Sequence, residues 1–129
     1  MKLLTVGDVM SPPIVIEPGL KISKLVDEIL PLHRQTSFPV GVKGRLHGIL
    51  SLEDLKTLPR ERWANTAVQT LMHPIGPDFF AESSTTLESA RAQMKQNGVG
   101  SIAVIDRRGE LIGFLQSGKI RRLSKLNPH

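Results

Sequence analysis

A serine and an aspartate three residues apart, Ser51 and Asp54, close the run Gly48-Ile49-Leu50-Ser51-Leu52-Glu53-Asp54. Two apolar residues leave a glycine, reach the serine, and the aspartate follows, which reads as a strand entering a helix N-terminus. A junction of this kind holds anions. First-turn N–H groups lack intrahelical partners and carry the positive end of the helix dipole, so a phosphate is stabilised there without a metal. The Ser51 hydroxyl adds a contact, and Asp54, an acceptor-only carboxylate, suits two neighbouring sugar hydroxyls. Together they describe a nucleotide site. The same spacing also makes a capping box, in which Ser51 and Asp54 satisfy backbone donors and bind nothing. On four residues alone the capping reading is the commoner one, so the surroundings must decide.

No other residue set competes for chemistry. His33, His47, His73 and His129 are scattered without the i, i+3 or i+4 spacing that puts two ligands on one helix face, so no metal site is expected. Ser37, Ser51 and Ser101 lie in no nucleophile-elbow context, and no catalysis is assigned. The chain has no cysteine, which removes disulfides, thiolate zinc sites and thiol nucleophiles and is compatible with a reducing cytoplasm. Apolar runs are too short to cross a bilayer, and the N-terminus lacks a signal pattern, so a cytoplasmic chain without membrane insertion is expected. A net charge of +5 and a pI near 10.0 favour anionic partners. A nucleic-acid partner is disfavoured by the lack of tyrosine, the single tryptophan and the lack of a recognised binding motif. The stretch 119–126 reads as a terminal amphipathic helix with Ile120 and Leu123 on one side and its charges on the other.

The elements that must position Ser51 and Asp54 occur twice. Gly44-Arg45-Leu46-His47-Gly48-Ile49-Leu50 is echoed by Gly109-Glu110-Leu111-Ile112-Gly113-Phe114-Leu115, and Ser37-Phe38-Pro39-Val40 by Ser101-Ile102-Ala103-Val104. Upstream, Val9-Met10 answers to Leu71-Met72, and Ile14-Val15-Ile16-Glu17 to Phe79-Phe80-Ala81-Glu82. In each copy prolines lead from the methionine into a brief strand, and a helix follows. Ile22, Leu25, Val26, Ile29 and Leu30 form the stripe of the first helix, which Pro31 stops. In the second, Thr85 and Glu88 suggest a capping box, Leu87, Ala90 and Met94 form the stripe, and Asn97-Gly98 the stop. Strands are expected over 38–42 and 46–50, and over 102–106 and 111–115. Each pair is joined by a tight turn, at Lys43-Gly44 and at Arg108-Gly109. A last helix starts at Ser51 or Ser117. The fold class is therefore α+β, with residues 1–60 as the first repeat, 61–66 as a connector carrying Trp63, and 67–129 as the second repeat.

Val9-Met10 at the head, Phe38-Pro39-Val40 in the middle strand and Gly48 through Asp54 at the end, in order and found twice, resemble the cystathionine-β-synthase (CBS) domain. Two in tandem resemble a CBS pair, or Bateman module, over about Val6 to Ile120. The resemblance implies two β-α-β-β-α repeats packed around a pseudo-twofold axis. It further implies a regulatory, non-catalytic homodimer that binds AMP, ADP, ATP or S-adenosylmethionine as a regulatory ligand, with no cofactor. The connector Leu58-Pro59-Arg60-Glu61-Arg62-Trp63 looks most like those of CBS pairs attached to site-2 membrane metalloproteases. A fused or associated enzyme or transporter is the implied partner.

By the same resemblance Ser51 holds phosphate or ribose and Asp54 the ribose hydroxyls. Phe79, Phe80, Gly100, Ser101 and Ile102 then supply the adenine side, a flat apolar slot with backbone polar groups at its rim. The second copy departs from the pattern, with Gln116 and Lys119 where the first has Ser51 and Asp54. Lysine only donates and cannot accept from ribose, so the cleft using Ile14, Val15, Ser37 and Phe38 has lost its sugar clamp. It is expected to be empty or altered. Two functional readings follow: a nucleotide-sensing regulatory module, and a ligand-free structural or dimerisation module of the same fold.

Overall fold

The computed structural model describes residues 3–120. Beyond Ile120, the amphipathic stretch expected over 119–126 lies outside the described residues, as does His129. The chain forms two compact units, one continuous, Ile14–Ile75, and one split, Met1–Pro13 with Gly76–His129. These units are not the sequence repeats. Each repeat sends its leading segment into the unit built mainly by the other repeat.

In the continuous unit, α2 (Ile22–Lys24) passes into a π-helical stretch, Leu25–Ile29, where the Leu30 N–H donates to the Leu25 carbonyl. The expected stripe survives this widening, because Ile22 and Leu25 are fully buried and Val26, Ile29 and Leu30 pack against the same core. Strands β1 (Ser37–Val42) and β2 (Arg45–Ser51) form the antiparallel hairpin, with Lys43 at φ 50 and Gly44 at φ 80. Positive φ at both turn residues is what a two-residue turn matched to strand twist requires. The strand expected near Ile16 is reduced to a single bridge to Val40. Pro12, Pro13 and Pro18 flank it and supply no N–H for a longer ladder.

A third strand of this sheet comes from the second repeat. α3 (Val68–Leu71) is followed by β3 (His73–Pro74), which pairs with β2 and gives the order β1-β2-β3. Val68 is fully buried in this unit's core, and its N–H donates to the Leu20 carbonyl at 2.8 Å. Between β2 and α3 run two 3₁₀ helices, Leu52–Thr57 and Arg60–Asn65. Trp63 ties the second down: it packs on the core, its indole N–H donates to the Leu58 carbonyl, and the Arg60 guanidinium lies 5.4 Å from its ring centroid.

The split unit repeats the plan. α1 (Val6–Val9) buries Val6 completely, with the Val6 N–H on the Thr85 carbonyl and the Gly7 N–H on that of Ser83. β4 (Phe80–Glu82) runs parallel to β5 (Ser101–Ile105), which pairs antiparallel with β6 (Leu111–Gln116). Its helix α4 (Leu87–Asn97) buries Ala90 and Met94 and ends at Gly98, φ 76, as Asn97-Gly98 predicts.

Two details differ from expectation. The loop before β6 is not a two-residue turn, because Asp106 Oδ1 accepts the N–H groups of Arg108 and Glu110 and builds a longer loop around itself. The N-cap of α4 is Thr86, whose hydroxyl accepts from the Ser89 N–H, while the Thr85 carbonyl is taken by α1. Thr86→Ala is expected to cost about 1 kcal/mol and Thr85→Ala clearly less. Chemical denaturation of the two variants checks the assignment.

Candidate functional site

Ser51 ends β2 almost completely buried. Its hydroxyl accepts the Glu53 N–H at 3.3 Å and its own N–H donates to Asp54 Oδ2 at 3.1 Å, so the capping box is formed. The helix it caps is a 3₁₀ stretch of six residues, Leu52–Thr57, rather than an α-helix. That corrects the dipole argument for a phosphate here, since so short a stretch aligns few peptide dipoles and Ser51 already occupies one of its free N–H groups.

Asp54 has a second partner that the sequence did not reveal. The His73 imidazole Nε2 lies 3.2 Å from Asp54 Oδ1 and 3.1 Å from Oδ2. The Asp54 side chain is 24% exposed and that of His73 38%. His73 arrives on β3, 19 residues downstream, which is why no local spacing announces it. A signal was nevertheless present, since His73 follows Met72 as Ser11 follows Met10 in the matching segment. A carboxylate has about four lone-pair sites, so Asp54 keeps acceptor capacity beside Ser51 and His73.

The altered motif of the other repeat is built in parallel. Lys119, at the position of Asp54, donates from Nζ to the Ser11 hydroxyl at 2.9 Å, and Gln116 stands opposite Ser101 across β5 and β6. Lys119 is half-buried and bonded rather than solvated.

The remaining predicted residues divide between the two units. In the continuous unit, Ser37 faces Ser51 across the hairpin, Phe38 is wholly buried in the core, Ile14 packs against it, and Val15 is exposed. In the split unit, Phe79 ends a 3₁₀ turn, Pro77–Phe79, and Phe80 opens β4, with its carbonyl accepting from Gln93 Nε2. Gly100, at φ 71, accepts the Ser117 N–H, the Ser101 carbonyl accepts from Asn97, and the Ile102 side chain is committed to the core. A cavity of about 460 Å³ lies in this unit between α4 and the helical residues 117–120, lined by Arg91, Lys95, Gly100, Ser117 and Ile120 among others. Of the predicted site residues, Gly100 alone lines it. Among the described residues no cluster of three or more potential metal ligands occurs, and no helix is long and apolar enough to cross a membrane.

The CBS domain family model matches residues 6–61 and again 68–125. The chain is a tandem pair of CBS domains. The CBS-pair protein CBSX2 of Arabidopsis thaliana is 26% identical with a TM-score of 0.81, covering 99% of both chains. A structure of CBSX2 in complex with AMP is 28% identical with a TM-score of 0.80, covering 98% of this chain and 99% of that one. The CBS pair of MJ0100, in complex with 5-methylthioadenosine and S-adenosyl-L-methionine, shares the fold at 22% identity, with a TM-score of 0.83 and 98% and 99% covered. A Synechocystis protein named as a zinc metalloprotease, sll0528, is 25% identical over 125 residues, 93% of this CBS pair. The pair spans 32% and 24% of the lengths of the curated relatives that it matches.

Proposed function

We propose that this CBS pair is a regulatory module that senses an adenosine-containing nucleotide, using Ser51 for phosphate or ribose and Asp54 for the ribose hydroxyls. The observation that carries this reading is the AMP complex of CBSX2, 28% identical nearly end to end. A carboxylate held in one orientation by the Ser51 N–H and His73, with lone pairs to spare, supports it as a receptor for a diol. On the family resemblance the base is received by Phe79, Phe80, Gly100, Ser101 and Ile102. AMP, ADP, ATP and S-adenosylmethionine all carry the adenosine group that this reading requires. The module works as a binding element rather than a catalyst, in the cytoplasm and as a homodimer. Its repeats are residues 1–60 and 67–129, joined by 61–66. The similarity to sll0528 supports an attached or associated membrane metalloprotease as the regulated partner.

The second reading, a structural or dimerisation module without a ligand, is favoured by the completed capping box and by the imidazole already on Asp54. Thermal shift separates the two. A ligand at about 100 times its dissociation constant adds about 2.7 kcal/mol, which raises the melting temperature of a domain this size by about 8 °C. AMP is expected to produce this rise in the parent protein and none in Asp54→Ala, whose baseline falls by about 1 kcal/mol through the lost cap. If AMP, ADP, ATP and S-adenosylmethionine all leave the parent unmoved, the structural reading replaces the sensor.

A further inference from the structure

The cavity of the split unit shares only Gly100 with the predicted nucleotide site, and its walls differ in character. Met94 on α4 and Ile120 are buried and give it an apolar floor. Arg91 and Lys95 line it from the exposed side of α4, one turn apart, so their charges share a helix face at a spacing of about 6 Å. Like charges so placed destabilise a helix slightly, and among the described residues neither cation forms an ion pair or a side-chain hydrogen bond. Glu88 is the one acid among the described lining residues, and it pairs with neither. Lys95 complements the carbonyl end of α4, but Arg91, a turn earlier, has no such role. The wall facing α4 is polar and fixed. The Ser117 N–H donates to the Gly100 carbonyl at 2.8 Å, which ties the end of β6 to the start of β5. Gly100 has φ 71, and a Cβ there would come within 3.2 Å of Ser117 Oγ, so the glycine keeps room beside the hydroxyl. That hydroxyl has no hydrogen-bond partner among the described residues.

We propose that this cavity binds a small organic anion, a molecule with an apolar body and one carboxylate or phosphate head. The body covers Met94 and Ile120, the head meets Arg91 and Lys95, and the Ser117 hydroxyl donates to it. The guanidinium fork of Arg91 suits a head that offers two oxygens, and Lys95 adds a point charge. A volume of about 460 Å³ falls within the range of sites that enclose small molecules. A bare inorganic ion would leave the apolar floor wet. Every residue of this site belongs to the split unit, and neither Ser51 nor Asp54 is among them, so the site stands or falls independently of the nucleotide reading.

Amide chemical-shift titration of the full chain with octanoate and with octyl phosphate tests this, with octanol, octylammonium and inorganic phosphate as controls for body and head. At least one of the two anions is expected to move the Lys95, Gly100 and Ser117 amides and to saturate at about 1 mM or below, and the tighter of the two identifies the head. Octanol, which lacks the charge, and inorganic phosphate, which lacks the body, bind about tenfold more weakly or worse, and octylammonium leaves these amides unmoved. Arg91→Gln and Lys95→Gln, both on the exposed side of α4 where substitutions disturb folding little, each weaken the anion by about threefold or more. Arg107→Gln removes the same charge from an exposed residue outside the cavity and leaves the affinity unchanged. The proposal is overturned if both anions leave the three amides unmoved or shift only amides elsewhere. Octanol binding as tightly as octanoate overturns it as well, as does inorganic phosphate binding as tightly as octyl phosphate. A loss in Arg107→Gln equal to that in Arg91→Gln would reduce the effect to net charge and also overturn it.

Discussion

Gly48→Ala is expected to destabilise the chain by about 3 kcal/mol, lowering its melting temperature by about 10 °C. Gly48 sits in the middle of β2, paired with Val40 on one side and Pro74 on the other. A Cβ there would run into the His73 carbonyl oxygen and come within 3.1 Å of Met72 Sδ. The carbonyl belongs to backbone that is itself paired, so it cannot step aside without β3 leaving the sheet. Gly113 is the matching residue of the second repeat, yet the atoms nearest its Cβ would all belong to the side chain of Met10, at Sδ, Cγ and Cβ. A change of methionine rotamer takes Sδ and Cγ away but leaves its Cβ at 3.1 Å, and Gly113→Ala is expected to cost about 2 kcal/mol. Denaturant titration of both variants reads the difference. Equal losses would mean that the two leading segments are held against their sheets in the same way, contrary to the contacts described.

Much of each unit could be read locally. The stripes of Ile22, Leu25 and Leu30 and of Ala90 and Met94, the two strand pairs, the Lys43-Gly44 turn and the Gly98 stop are patterns within a dozen residues, and local geometry decides them. The echo of Val9-Met10 in Leu71-Met72 was also visible. What the echo does not carry is which sheet each segment joins, because that choice depends on packing partners far away in the chain. His73-Pro74 reads as a loop, since a proline and a histidine have no strand pattern, and becomes a strand only because β2 offers an edge. The exchange of one threonine for its neighbour at the α4 cap has the same origin, since α1 claims the Thr85 carbonyl. At the site, Ser51 and Asp54 were legible as a cap because a cap is local, and the structure has it. The imidazole on Asp54 was not, because its approach depends on the same long-range exchange that forms β3.

That exchange makes a second strong prediction: a fragment covering 14–75 folds by itself, whereas one covering 1–60, the first repeat by sequence, does not. The 14–75 fragment keeps Val68, fully buried among Ile22, Leu25 and Phe38, and keeps β3 on its sheet. It also keeps the Ile22 N–H on the Thr66 carbonyl, the Val68 N–H on that of Leu20 and the Gln69 N–H on that of Pro18. The 1–60 fragment loses all of these and retains Val6, whose core lies in the split unit. Chains of about 60 residues are marginal and cannot spare a buried anchor and an edge strand together. Circular dichroism melts and amide dispersion of the two fragments decide the matter. A cooperative transition is expected for 14–75 and none for 1–60. If 1–60 melted cooperatively at the same temperature or higher, the leading segments would be ornaments on their sheets rather than parts of the cores they enter.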